Sequence, residues 1–127
     1  MKKFILLLFI CLLNTQLNAN PTEKISKAIG NGDVETLAAF FDENIDLKIL
    51  DKENIYSKMQ TKLILRDFFT NYASVNFTIH HDGGSDQAKF TIGTLETNKG
   101  TFRVYFLLKK KGEISYIQKL RIENDGQ

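Results

Sequence analysis

The stretch Phe102-Arg103-Val104-Tyr105-Phe106-Leu107-Leu108 decides the fold. Phe102, Val104, Phe106 and Leu108 alternate with Arg103, Tyr105 and Leu107. A period of two is the pattern of a half-buried strand. The same period recurs upstream. Phe90, Ile92 and Thr94 alternate with Lys89, Thr91 and Gly93, and Val75, Phe77, Ile79 and His81 alternate with Asn76, Thr78, His80 and Asp82. Gly83-Gly84-Ser85 and Asn98-Lys99-Gly100 supply the intervening turns. Downstream, Lys109 to Glu113 turns again and Ile114 to Ile122 forms a last strand. Four strands joined by short loops make an antiparallel meander.

The residues before the meander read mostly as helix. Thr22 is the expected cap of a first helix carrying Ile25, Ala28 and Ile29, which Gly30-Asn31-Gly32 ends. Asp33 caps a second carrying Val34, Leu37, Ala38 and Phe41. Ile45 to Ile49 alternates as a strand, Asp51 to Asn54 reads as a turn, and Ile55-Tyr56 as a very short returning strand. Ser57 caps a long helix to Tyr72, with Ile64, Leu65, Phe68, Phe69 and Tyr72 as one stripe. Helices first and strands last predict an α+β domain, with the helices packed on one face of a curved antiparallel sheet.

Residues 1–20 have the composition of a signal peptide. Lys2 and Lys3 precede ten apolar residues, Phe4 to Leu13, and Ala19 marks a small-residue cleavage position. Ten apolar residues are half of what a membrane span requires. The alternatives are a buried N-terminal helix, or a lipid-modified Cys11, which here follows Ile10 inside the apolar run rather than a small residue. The expected mature domain is therefore 21–127, exported to the periplasm or the extracellular space, with the membrane involved only through the signal. Without Lys2 and Lys3 the basic count falls from 17 to 15 and equals the acidic count. A neutral domain has no electrostatic drive toward nucleic acid. Cys11 is the sole cysteine, so disulfide frameworks and multi-cysteine metal sites are excluded.

The order of helix hairpin, strand, long helix and meander resembles the nuclear-transport-factor-2-like (NTF2-like) fold, a cystatin-like cone. The opening Ala28-Ile29-Gly30-Asn31-Gly32-Asp33, with Leu37-Ala38 and Phe40-Phe41, is similar to the start of many such domains. Tyr56-Ser57-Lys58, Leu65-Arg66-Asp67-Phe68-Phe69, Ile92-Gly93-Thr94-Leu95, Gly100-Thr101-Phe102-Arg103-Val104-Tyr105 and Ile117 to Glu123 resemble a family of secreted bacterial proteins of uncharacterised function. The resemblance implies a fold that hosts enzymes, binders and adaptors alike, so activity has to be argued from a site.

Three groups of residues are candidates. Tyr56, His81, Tyr116 and Gln118 are polar-tipped residues expected to line the cone's cavity. They would bind a small apolar ligand or simply fill the interior. His81, expected on the helix-facing side with Phe77 and Ile79, would be the acid or base of an isomerase- or dehydratase-like enzyme acting with a tyrosine. The other reading is a strand-end histidine. No acid falls on an expected apolar face to assist it. Thr78, His80, Arg103, Tyr105, Leu107 and Ile117, with Lys119 and Arg121, are expected on the opposite face. Domains of the resembled fold often pair there, so a homodimer or protein partner is the expectation, against an ordinary solvated face. His80 and His81 are the only histidines, and as strand neighbours they point to opposite faces unless a bulge intervenes, so no metal or cofactor is expected. Lys109-Lys110-Lys111 has no interleaved aromatics for stacking on nucleic acid. The reading as a whole is an exported, non-catalytic ligand-binding or protein-interaction module. A cone closed by Phe68, Phe77 and Phe90 favours a surface role; an open cavity with His81 pointing in favours the enzyme.

Overall fold

The computed structural model describes residues 20–125. The signal reading of residues 1–20, including Cys11, lies outside the described residues apart from Asn20. Among the described residues no helix is long and apolar enough to cross a membrane.

Among the described residues three helices and six strands follow one another: α1 (Pro21–Asn31), α2 (Val34–Ala39), β1 (Phe41–Ile49), β2 (Lys52–Ser57), α3 (Lys58–Asn71), β3 (Ser74–Gly84), β4 (Ala88–Thr97), β5 (Gly100–Lys111) and β6 (Ile114–Asn124). The helix starts have local causes. Asn20, rather than Thr22, caps α1 by accepting from the Glu23 amide, because Pro21 occupies the first helical position, where no N–H is needed. Gly32 ends α1 in the left-handed conformation. Asp33 caps α2, and Ser57 with Gln60 forms a reciprocal capping box on α3.

The sheet runs β2-β1-β6-β5-β4-β3. β3 to β6 form the expected meander. β1 pairs with β6 in parallel, so the sheet is mixed rather than wholly antiparallel. β2 is a full strand from Lys52, not a turn with a two-residue strand. The reversal is confined to Leu50-Asp51, where Leu50 takes φ 55° and donates its amide to the Ile122 carbonyl at 2.8 Å. Likewise β5 runs through the lysine triplet to Lys111.

One face of the sheet is roofed by the helices, and the core lies between. Phe41, Ile45, Leu47, Leu95, Phe106, Ile117 and Leu120 are fully buried there with Ile25, Leu37 and Leu65 from the helices. Phe68 packs edge-on to Phe102 at 5.4 Å and stacks on Tyr72 at 4.9 Å, closing one end of the core. Side chains of β1, β4, β5 and β6 fill the middle of the interior, and a pocket of about 740 Å³ opens between the start of α1 and the sheet, lined in part by Ile79, Thr91 and Leu108.

Candidate interaction face

Two register shifts set which side chains reach the face that the helices leave open. In β4, Thr91, Gly93 and Leu95 pair with Phe106, Val104 and Phe102 and point to the core. Phe90, Ile92 and Thr94 therefore stand on the open face, and Phe90 does not close the cone. Gly93 is what permits this. A Cβ there would lie 2.4 Å from the Thr78 carbonyl oxygen and 2.6 Å from the Phe77 ring, so the bare glycine gives Phe77 its seat against the core.

In β3 a bulge falls between Ile79, opposite Gly93, and His81, opposite Ile92. The extra residue, His80, breaks the alternation. His80 Nε2 shares a hydrogen bond with Thr94 Oγ1 at 2.7 Å, and the His81 ring lies 5.5 Å from Phe90. Both imidazoles thus reach the open face, and His81 does not share the helix-facing side with Phe77 and Ile79. They also diverge. Thr94 and Phe90 are four residues apart on a strand, about 13 Å. Among the described residues no group of three or more histidine, cysteine or acidic side chains could hold a metal ion.

A second bulge sits in β6, where Leu108 pairs with Ile117 but Leu107 pairs with Lys119, leaving Gln118 as the inserted residue. Ile117 consequently turns into the core and is fully buried, which corrects its expected place on the open face. Tyr116, paired with Lys109, turns out of the core instead. The Lys111 ammonium sits 5.8 Å over its ring and 2.6 Å from Asp42 Oδ1. That lysine holds the Asp42 carboxyl below the ordinary carboxylate range. Tyr56 is half-buried in a cleft of about 300 Å³ between β1, β2 and α3, lined with Leu47, Ile49 and Ile64 and rimmed by Lys52 and Asp67. Tyr56, His81, Tyr116 and Gln118 are therefore not gathered in one cavity.

Of the face residues expected from sequence, Thr78, His80, Arg103, Tyr105 and Leu107 do share one surface. Sequence reasoning missed their centre. Phe90 and Ile92 pair across with Leu107 and Tyr105, and Phe90 stacks on Tyr105 with ring centres 6.3 Å apart. With His81 they form an aromatic and aliphatic strip across β3, β4 and β5, which no other described element covers. The β1 and β6 side of the same face is charged but internally neutralised. Lys48 binds Glu123 at 2.9 Å, while Lys119–Asp46 and Arg121–Glu53 stand at 3.6 Å. The hydrogen bond from Lys48 lowers the Glu123 carboxyl and raises the Lys48 ammonium. Arg103 and Glu96 are exposed on this face and make none of the ion pairs found among the described residues.

A family model described as Domain of unknown function (DUF4783) matches residues 22–123. The chain belongs to the DUF4783 family. Solved structures of DUF4783 family proteins bear this out. The protein from Bacteroides uniformis ATCC 8492 is 28% identical, with a TM-score of 0.81 over 85% of this chain and 100% of that one. The protein from Bacteroides ovatus ATCC 8483 is 27% identical, with a TM-score of 0.77 over 82% and 94%. An NTF2-like protein of unknown function from Cytophaga hutchinsonii ATCC 33406 shares the fold at 10% identity, with a TM-score of 0.58 over 80% of this chain and 83% of that one. Among curated proteins none matches. The DUF4783 chain is thus an α+β cone of the NTF2-like kind, as the sequence resemblance implied.

Proposed function

We propose that this DUF4783 domain is an exported, non-catalytic interaction module that pairs with a second copy of itself through the open sheet face. The observation that carries the reading is the uncovered strip of His81, Phe90, Ile92, Tyr105 and Leu107, built of side chains that favour burial. A second copy is the occupant that suits the charges. The ion pairs on the β1 and β6 side already neutralise one another, so two like faces meet without net repulsion. Arg103, which lies opposite Glu123 in the same chain, and Glu96 make no direct ion pair there and can each turn toward the facing copy. Six strands by about six residues give a flat area of roughly 600 Å², which side-chain relief brings near the about 800 Å² per partner of a standard interface.

Two further observations favour a surface role over a cavity enzyme. His81 has Phe90, not an acid, as its ring neighbour. Hydrogen bonds hold the carboxyls of Asp33, Glu35, Asp42, Asp86 and Glu123 below their ordinary values, toward a fixed anion. A general acid near neutrality needs the opposite. The reading of Lys2, Lys3 and Phe4 to Leu13 as a signal supports export.

The test is size-exclusion chromatography with light scattering on a charge-swap series. The wild-type chain is expected to run as a dimer. Arg103→Glu is expected to weaken it, and adding Glu96→Arg to restore it. A wild-type monomer, or a dimer indifferent to both changes, overturns the reading.

A further inference from the structure

A second surface, independent of the sheet face, lies along the free edge of β3. This strand ends the sheet order, so one edge of its backbone has no neighbouring strand. Exposed edges are normally blunted by Lys, Pro, an inward charge or a bulge, and β3 has bulges at Val75 and at His80 that bound its regular run. From Ser74 to His81 β3 carries no acidic residue, lysine, arginine or proline. Instead it exposes Val75 at 65% and Ile79 at 39%. α1 packs on β3, and a groove of about 490 Å³ lies between them, lined by Ser26, Lys27 and Gly30 of the helix and Val75, Phe77 and Ile79 of the strand. Gly30 keeps the helix wall low, since a Cβ there would come within 3.3 Å of the Phe77 amide nitrogen. Ser26 Oγ is buried without a hydrogen-bond partner, a cost a native chain rarely leaves standing. Lys27 is the one charged residue lining the groove, and it is exposed.

We propose that this groove takes an extended acidic peptide of a partner protein, added to the sheet as a seventh strand beside β3. A row of alternating main-chain donors and acceptors is matched by another extended backbone, which is the basis of strand addition. Asn76 to Ile79, between the two bulges, offers about 13 Å of it. The exposed Val75 and Ile79 side chains contact alternate apolar residues of the peptide. The Lys27 ammonium meets a carboxylate of the peptide. A second copy of this chain suits the edge less well. Two-fold pairing of β3 with β3 would bring another α1, with its own Lys27, into the same space and set like charges together.

The experiment is selection of octapeptides from a random display library on the purified chain. Synthetic versions of the enriched peptides are then measured by fluorescence anisotropy and by amide NMR. Enriched peptides are expected to carry an acid and alternating β-branched residues and to shift the amides of Val75 to Ile79. Lys27→Glu is expected to weaken them about fivefold or more. Val75→Lys, which installs the usual edge protection, is expected to weaken them as well. Lys24→Glu, on α1 but outside the groove, serves as the charge control and is expected to change little. Circular dichroism melts check that each exposed-site variant keeps its fold. Three results overturn the proposal: no enriched peptide; peptides that shift other amides or respond equally to the Lys24 and Lys27 changes; or Val75 to Ile79 shifts that follow protein concentration without peptide, which assign the edge to a second copy.

Discussion

Gly93 and Asp42 carry effects out of proportion to their size. A methyl at Gly93 collides with a strand carbonyl as well as with the Phe77 ring, and the carbonyl cannot step aside as a side chain can. Gly93→Ala is expected to cost about 1–3 kcal/mol in denaturant unfolding. Asp42 ties the start of β1 to the end of β5 through Lys111, and Lys111 holds its carboxyl low. A carboxyl lowered in the folded state contributes stability that is complete above its ordinary value, near ~4, and is lost as pH falls through the folded value. Glu123, lowered by Lys48, acts in the same direction. Thermal melts are thus expected to be flat down to about pH 5 and to fall below it. Asp42→Asn should lower the melting temperature at neutral pH and make the acid side shallower. An unchanged acid slope would remove Asp42 from the account. None of this was legible beforehand, because the Asp42–Lys111 pair joins residues 69 apart in sequence.

Among the elements, the helices were readable and the strand faces only partly so. Asp33, Ser57 and the Gly30-Asn31-Gly32 corner act locally, and local chemistry is visible in sequence. Ser57→Ala removes the half of the capping box in which Ser57 Oγ accepts from the Gln60 amide, leaves the half in which the residue-57 amide donates to Gln60 Oε1, and is expected to lower stability by about 1 kcal/mol by chemical denaturation. No change would mean that packing of Leu65, Phe68 and Phe69 alone holds that helix. Strand parity is different, since one inserted residue reverses every side chain beyond it. The bulge at His80 brought His81 to the open face, and the one at Gln118 sent Ile117 inward. A bulge leaves no composition signal of its own. β4 misleads for another reason. Its core side is Thr91, Gly93 and Leu95, and its open side is Phe90, Ile92 and Thr94, so the open side is the more apolar one. Pattern reading fails there because the face departs from the rule that solvent sees polar residues, which is where function is expected. The turn at Leu50 was missed because a leucine at positive φ carries no turn chemistry. The hydrogen bond from its amide to the Ile122 carbonyl and its packing against the core hold it instead.

At the scale of the molecule, the packed middle of the interior and the strip on the open face belong together. Phe41, Phe106, Leu95 and Ile117 are fully buried between helices and sheet, whereas Phe90, Ile92, Tyr105 and Leu107 stay half-buried on the open face. Phe106→Ala is expected to cost about 3–5 kcal/mol. Tyr105→Asp, one position away on the opposite face, loses the stack on Phe90 and is expected to cost the monomer clearly less than Phe106→Ala while abolishing pairing. The two residues thus separate fold from association. The most direct measurement is methyl NMR of Ile92 and Leu107 on dilution from about 1 mM to about 10 µM, the range in which a dimer of standard interface size and modest affinity dissociates. Pairing through the open face is expected to move those methyls, and to leave Leu120 and Ile122 in the core where they were. Spectra independent of concentration, in a chain that light scattering finds monomeric, would contradict it.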